Sequence, residues 1–240
     1  MSGFFITGTD TEVGKTLITA AIIYQLQERG LQTCGFKPVV AGMTTVGSHS
    51  FFEDLETLLL VSNRDRPQKD QLTANDICPY HLPIPAAPHI VAEDQGISLD
   101  LEVMVKAYGL LTTSHDSVVV EGAGGFLVPI SETQTLANFA AQIRLPVILV
   151  VNIRLGCINH ALLTALAIRH HQLTVVGWVA NSTSLPDAFA EKNINTLSTI
   201  LKEQFNAELL GVIPFQDDIQ MPYSLDLIQR TSTLINLKNI

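Results

Sequence analysis

Residues 6–16 read Ile6-Thr7-Gly8-Thr9-Asp10-Thr11-Glu12-Val13-Gly14-Lys15-Thr16, between the apolar run Phe4-Phe5-Ile6 and the helical spacing Leu17, Ala20, Ala21, Tyr24. The order is that of a strand, a glycine-rich turn and a helix start. Such a turn aims backbone N–H groups at phosphate oxygens, and the helix behind it adds its positive N-terminal dipole. Lys15 supplies a point charge, and the Thr16 hydroxyl can ligate Mg²⁺. The stretch therefore predicts a nucleoside triphosphate site. Gly8 and Gly14 enclose five residues, one more than the usual pattern, so the loop is expected to be wide. An ordinary turn could carry the same letters; its place between a strand and a helix argues for the binding loop.

Working outward, apolar runs at Phe4–Thr7, Thr33–Phe36, Ser117–Val120, Val147–Val151, Val175–Ala180 and Leu209–Ile213 predict buried strands. Helical spacing at 15–29, 52–61, 99–114, 135–143, 157–171 and 187–204 lies between most of them, with caps such as Ser98 and Thr135. The alternation predicts an α/β fold: a mostly parallel sheet with helices on both faces, in a single domain over 1–240. Ligands are then expected beyond the carboxyl ends of the strands. The stretch 62–98, with Pro67, Pro79, Pro83, Pro85 and Pro88, is expected to be an irregular surface excursion, and the tail from Thr231 carries no motif.

The chain has 240 residues, 47% hydrophobic and 15% charged, enough to bury a large core. Its net charge of −9, with no Lys/Arg cluster, argues against a nucleic-acid surface. No apolar stretch approaches a bilayer span and the N-terminus lacks the basic flank of a signal peptide, so the expectation is a cytoplasmic protein without a membrane partner. Cys34, Cys78 and Cys157 are too scattered for a disulfide framework or a paired-cysteine metal site and are expected to be buried thiols.

Four further constellations fall where strands end. Ser117–Val120 is followed by Glu121-Gly122-Ala123-Gly124-Gly125: a carboxylate placed to hold Mg²⁺, then glycines that let backbone amides approach a phosphate or substrate. Lys37 follows the strand Thr33–Phe36, and Pro38 bars an immediate helix, so its ammonium can join Lys15 beside a transferring phosphoryl group. Glu53, Asp54 and Glu56 open a helix where acids suit the dipole, and spacing does not choose a metal ligand among them. Gly156-Cys157-Ile158-Asn159-His160 opens another helix whose free N–H groups form a potential carboxylate site, with His160 read as structural. Asn181 and the Pro214-Phe215-Gln216 segment end two more strands, where the Asn181 amide could meet a purine edge and Phe215 could equally be core.

Taken together, Thr7–Thr16, Gly35-Phe36-Lys37-Pro38, Val120–Gly125, Leu155–His160 and Gly177-Trp178-Val179-Ala180-Asn181 resemble the signatures of the dethiobiotin synthetase family, in its order and over nearly the whole chain. The widened loop is also that family's form. The resemblance implies a P-loop NTPase type fold and an ATP- and Mg²⁺-dependent ligase of biotin biosynthesis. Such an enzyme carboxylates 7,8-diaminononanoate with CO₂ and closes the ring through a carbamate and a carbamic-phosphoric anhydride. It also implies roles: Lys15 and Lys37 catalytic; Thr16, Asp54 and Glu121 holding Mg²⁺; Glu12, Val13, Gly14, Lys15, Thr16 and Leu17 wrapping the triphosphate. Asp54, Glu121, Gly122, Ala123 and Gly124 would join the nucleotide site, with Asn181, Ser182, Pro214, Phe215 and Gln216 at the adenine. Substrate would meet Lys37, position 41 and Gly156, Cys157, Ile158 and Asn159, the last four from the other subunit of a homodimer. One departure stands out: the family's serine four residues after the second lysine is Ala41 here, so a backbone N–H near Ala41, or Thr44 or Thr45, would replace that hydroxyl, or substrate would bind more weakly. The alternative reading is an ATPase switch protein of the same wider fold group.

Overall fold

The computed structural model describes residues 3–185, 188–217, 220–238 and 240. β1 (Gly3–Gly8) leads through the glycine-rich loop into α1 (Lys15–Glu28) and β2 (Thr33–Phe36). Short strands β3 (Val40–Ala41), β4 (Thr44–Val46) and β5 (His49–Phe51) precede α2 (Glu53–Ser62), α3 (Ala74–Ile77), β6 (His81–Leu82) and α4 (Pro88–Asp94). Then come α5 (Leu101–Thr112), β7 (Ser117–Glu121), α6 (Leu136–Ile143), β8 (Val147–Asn152) and α7 (Cys157–His170). β9 (Val175–Asn181), α8 (Ala190–Phe205), β10 (Glu208–Ile213) and α9 (Leu225–Ser232) complete the order.

All six predicted strands join one sheet in the order β10-β9-β8-β1-β7-β2, and every neighbouring pair is parallel. The chain leaves β1 toward β2 on one side and, after β7, crosses to β8, β9 and β10 on the other. That reversal opens a crevice beyond the carboxyl end of β1, where the glycine-rich loop lies. Alternation along β2 shows the two faces: a Cβ on Gly35 would meet Leu58 of α2 and Ile23 of α1 at 3.1 and 3.2 Å. The Phe36 ring turns the other way, 5.9 Å from Tyr108 of α5 and 6.0 Å from Phe139 of α6. Helices therefore cover both faces, with α1, α2 and α9 packed together on the first. Phe4, Phe5, Ile6, Val118–Val120 and Val147–Val151 are buried between the layers, as continuous apolar strands of a parallel sheet should be.

Five of the six predicted helices appear within a few residues of their expected ends; the one expected at 187–204 runs Ala190–Phe205, and residue 187 lies outside the described residues. The stretch 62–98 corrects its expectation, since it carries a 3-10 turn, α3, β6 and α4. Local signals explain this: a reciprocal Thr73/Asp76 capping box starts α3, Pro88 opens α4, and β6 pairs with β3. The C-terminal segment, which carries no motif, is nonetheless built in: Thr231 belongs to α9, capped by Ser224 and docked on α1. Gln25 Nε2 donates to the carbonyls of Ser232 and Ile235 there. Cys34, Cys78 and Cys157 are buried free thiols. Among the described residues no helix is long and apolar enough to cross a membrane.

Candidate functional site

Strand register assembles the charged cluster. Lys37 follows Phe36 and so returns to the face of α1 and α2. Phe36 pairs with Val120, bringing Lys37 level with Glu121, and Glu121 itself pairs with Ile6 of β1. Lys37 Nζ lies 2.6 Å from Glu121 Oε1 and 2.8 Å from Asp54 Oδ2. Thr16 Oγ1, at the start of α1, lies 2.8 Å from Glu121 Oε1 and 2.9 Å from Asp54 Oδ1, with one proton to share. Of the three acids that open α2, Asp54 is the one in this cluster; Glu56 is exposed. The backbone N–H of Lys37 donates to the Ile77 carbonyl, so α3 backs the site, and Cys78 is buried beside it.

The loop is held by its own atoms. Lys15 Nζ donates to the Asp10 carbonyl at 2.9 Å, and the Asp10 carboxylate bridges the Thr11 N–H and Arg154. Val13 packs back on Gly8, where an added Cβ would meet it at 2.5 Å. Glu12 adopts a left-handed φ of 57°, a strained conformation for a residue with a side chain, and its carboxylate is exposed. Gly14, left-handed at φ 89°, caps α1 without a side-chain hydrogen bond, leaving its first-turn amides to a ligand. The glycine run after β7 closes on the same loop: a Cβ on Gly124 would come within 3.6 Å of Thr11 Oγ1, and one on Gly125 within 3.8 Å of the Gly8 carbonyl.

Burial and the two lysines shape the electrostatics. Burial drives the Glu121 carboxyl above its usual range even with Lys37 beside it. Burial also acts on Asp54, but the Lys37 charge and the Lys37 and Thr16 hydrogen bonds outweigh it and hold that carboxyl low. Lys37 is pushed down by burial and more than restored by the two carboxylates, ending above an ordinary lysine. Lys15 is lowered to about 8, first by burial and then by the Lys37 charge. Thr16, Asp54 and Glu121 offer a hydroxyl and carboxylates, the oxygen donors that Mg²⁺ prefers. Glu121 Oε2 is buried without a hydrogen-bond partner, an acceptor that such a cation would satisfy.

Other predicted residues distribute along the crevice. Asn181 ends β9, buried, with Nδ2 donating to the Val13 carbonyl at 2.8 Å. Ser182 donates its N–H to the Ile213 carbonyl, so it sits beside Pro214, Phe215 and Gln216 at the end of β10. Gln216 lines a cavity of about 310 Å³ with Asp217 and Arg230. A cavity of about 750 Å³ lies instead at the amino ends of β8 and β9, against Arg144, His170 and His171, remote from the loop. The start of α7 is not beside Lys37: β2 and β8 are three strand spacings apart, about 14 Å. Gly156 caps α7 with no side-chain bond, and the Cys157 N–H turns back to the Arg154 carbonyl, leaving Ile158 and Asn159 as its forward first-turn amides. Around Ala41 the N–H groups of Val40, Gly42 and Met43 are taken by the Tyr80, Leu82 and Pro83 carbonyls, and Thr45 bonds Ser50, so among the described residues the Ala41 N–H and the Thr44 hydroxyl remain as the expected replacements without a bond of their own. Sequence reading missed Tyr223, buried beside α2 with its N–H donating to Thr57 Oγ1 and its phenol pushed up by burial and by Asp54. A lone tyrosine after a proline gives no signal of that placement.

Solved structures share this architecture at low identity. MinD in the MinC:MinD cell division complex of Aquifex aeolicus is 17% identical, with TM-score 0.54, over 96% of this chain and 86% of that one. A ParA family ATPase from Chlorobium tepidum TLS is 12% identical, with TM-score 0.53, over 91% and 87%. MinD complexed with Mg-ADP from Pyrococcus horikoshii OT3 is 16% identical, with TM-score 0.50, over 95% and 86%. At such identities the likeness shows the P-loop NTPase fold and no more. Residues 2–222 match the AAA domain family AAA_26, nearly the whole chain, and the protein belongs to that family, which includes dethiobiotin synthetase.

Proposed function

We propose that this chain makes dethiobiotin from 7,8-diaminononanoate, CO₂ and ATP. The observation that carries the reading is the buried meeting of Lys37 with Thr16, Asp54 and Glu121 beside the loop lysine, Lys15. A hydrolytic switch has no evident need for a second lysine delivered from the end of β2. In the reaction one substrate amine takes up CO₂ to form a carbamate, and a carbamate oxygen attacks the γ-phosphorus as ADP leaves. The second amine then attacks the carbonyl carbon, closing the ring and expelling phosphate.

The amides of residues 12–17 would bind the triphosphate, with Lys15 along it and Gly122–Gly124 closing the opposite wall. Thr16, Asp54 and Glu121 would hold Mg²⁺, which would neutralise phosphate charge when bound. That the Pyrococcus horikoshii MinD of this fold is complexed with Mg-ADP supports a nucleotide and Mg²⁺ as ligands here. Lys37 would stabilise the equatorial oxygens during transfer and then the anhydride, a task in which preorganised charge contributes most. Asn181, Ser182 and Pro214–Gln216 would flank adenine. A homodimer in which the Gly156–Asn159 turn of a second copy receives the substrate carboxylate suits the three strand spacings between β2 and β8, which lead to Lys37 and to that turn. A cytoplasmic location suits all three substrates.

The test is to supply purified protein with Mg-ATP, bicarbonate and 7,8-diaminononanoate, following phosphate release and dethiobiotin by mass spectrometry. Phosphate that requires the diamine, with dethiobiotin formed, is the expected result. Phosphate release indifferent to the diamine would instead favour the ATPase switch, a reading that the MinD and ParA likeness keeps in view.

A further inference from the structure

Asn181 lies far from the glycine-rich loop in sequence and two strands from β1 in the sheet, yet its side chain ends on the loop backbone. Nδ2 donates to the Val13 carbonyl at 2.8 Å in a buried bond. It also sits over Gly14, where an added Cβ would fall 2.2 Å from it. The platform is rigid: the Asn181 carbonyl accepts from Ile153 N–H, and Asn181 is in register with Ile213 of β10 and Asn152 of β8. In a trans peptide the C=O and N–H point opposite ways. Holding the Val13 carbonyl toward Asn181 therefore turns the Gly14 N–H away from it, free for a ligand on the other side.

We infer that Asn181 is a positioning residue for the triphosphate: by anchoring the Val13–Gly14 peptide it aims the Gly14 N–H at phosphate, whatever base the nucleotide carries. A purine edge can use only what is left of the amide, Oδ1 and the second N–H of Nδ2. The left-handed glycine at 14 belongs to the same device, because no other residue lets the amide approach so closely. This rests on the triphosphate reading of the loop and is independent of the diamine.

A ligand without a base separates the two roles. Mg-tripolyphosphate and Mg-ATP are competed against a fluorescent ATP analogue on wild type, N181A and N181D, with thermal unfolding recorded for each. N181A is expected to weaken both ligands by a similar factor, about fivefold or more, the size of one net hydrogen bond. N181D is expected to weaken them further, since a carboxylate offers the Val13 carbonyl no proton and repels it. Unchanged tripolyphosphate affinity in N181A, with ATP weakened, would overturn the inference and leave a base contact alone. Wild type that binds neither ligand would overturn the loop reading itself. If the variants fail to fold, the wild-type Gly14 amide decides by NMR: its resonance moves on adding Mg-tripolyphosphate, and a stationary resonance overturns the proposal.

Discussion

Replacing Lys37 by Gln removes the cation shared by two carboxylates, of which Glu121 is 1% and Asp54 30% exposed. Water can hydrate Asp54 but not Glu121, so the penalty falls on Glu121. Breaking a buried pair by removing one partner costs about 3–5 kcal/mol. A glutamine amide retains one donor for Glu121 Oε1, so a loss of about 2–3 kcal/mol is expected near neutral pH. The loss depends on pH with a definite sign. Glu121 is already raised above 4.5 by burial, and without Lys37 it rises further. Between the unfolded value and that raised value the folded variant binds more protons than the unfolded chain, so its stability falls as pH rises. Wild-type Asp54 works the other way: its lowered carboxyl contributes stability above 3.8 that is lost on acidification. The deficit of K37Q against wild type should therefore widen as pH rises from the ordinary carboxylate range toward neutrality. Urea unfolding followed by Trp178, the only tryptophan and fully buried, reads it directly. The double variant K37Q/E121Q should recover most of the loss. Equal stability of K37Q and wild type across this range, or no recovery in the double variant, would refute the charge-compensation argument.

The same K37Q protein should lose about a hundredfold or more in turnover while ATP affinity stays within a few fold; equal losses in both would make Lys37 a binding residue only. Lys15, at about 8 in the fold against 10.5 unfolded, leaves the folded state with fewer protons between those values, so its burial penalty is full below about 8 and lifts as pH climbs. A triphosphate beside that ammonium raises its pKa, so calorimetry in buffers of different ionisation enthalpy just above pH 8 should show proton uptake on ATP binding, and proton release would contradict the placement. Gly14→Ala must displace the Asn181 amide and strain a left-handed φ, and should lower both stability and ATP affinity by about 1–3 kcal/mol; a neutral outcome by unfolding and titration would refute the close approach. Ala41→Ser should lower the KM for the diamine by up to about tenfold with kcat little changed, and an unchanged KM would mean that position 41 does not meet substrate.

Long, strongly patterned elements were legible because burial on both faces leaves uninterrupted apolar runs. Val147–Val151 and Val118–Val120 can be little else than central strands. Short elements were not: α3, α4 and β6 owe their form to caps, a helix-opening proline and a two-residue pairing, which carry no periodicity. At the site, Lys15, Thr16, Lys37 and Glu121 could be placed because each follows a strand whose end is fixed by its apolar run. Asp54 could not be told from Glu53 or Glu56 by spacing, since the choice depends on how α2 is rotated against α1. The bond from Asn181 to Val13 spans 168 residues and depends on the strand order β1-β8-β9, which no local pattern encodes. The missing hydroxyl at position 41 was visible in the letters, but the loss of neighbouring N–H groups to the carbonyls of residues 80, 82 and 83 was not.

The central claim is that a carbamate oxygen, not water, attacks the γ-phosphorus at the cluster of Lys15, Lys37, Thr16, Asp54 and Glu121. Turnover started with ¹⁸O-bicarbonate, quenched before the label exchanges with solvent, tests it through the mass of the released phosphate. Attack by the carbamate leaves one bicarbonate-derived oxygen in each phosphate. Phosphate free of that label while dethiobiotin accumulates would contradict the account.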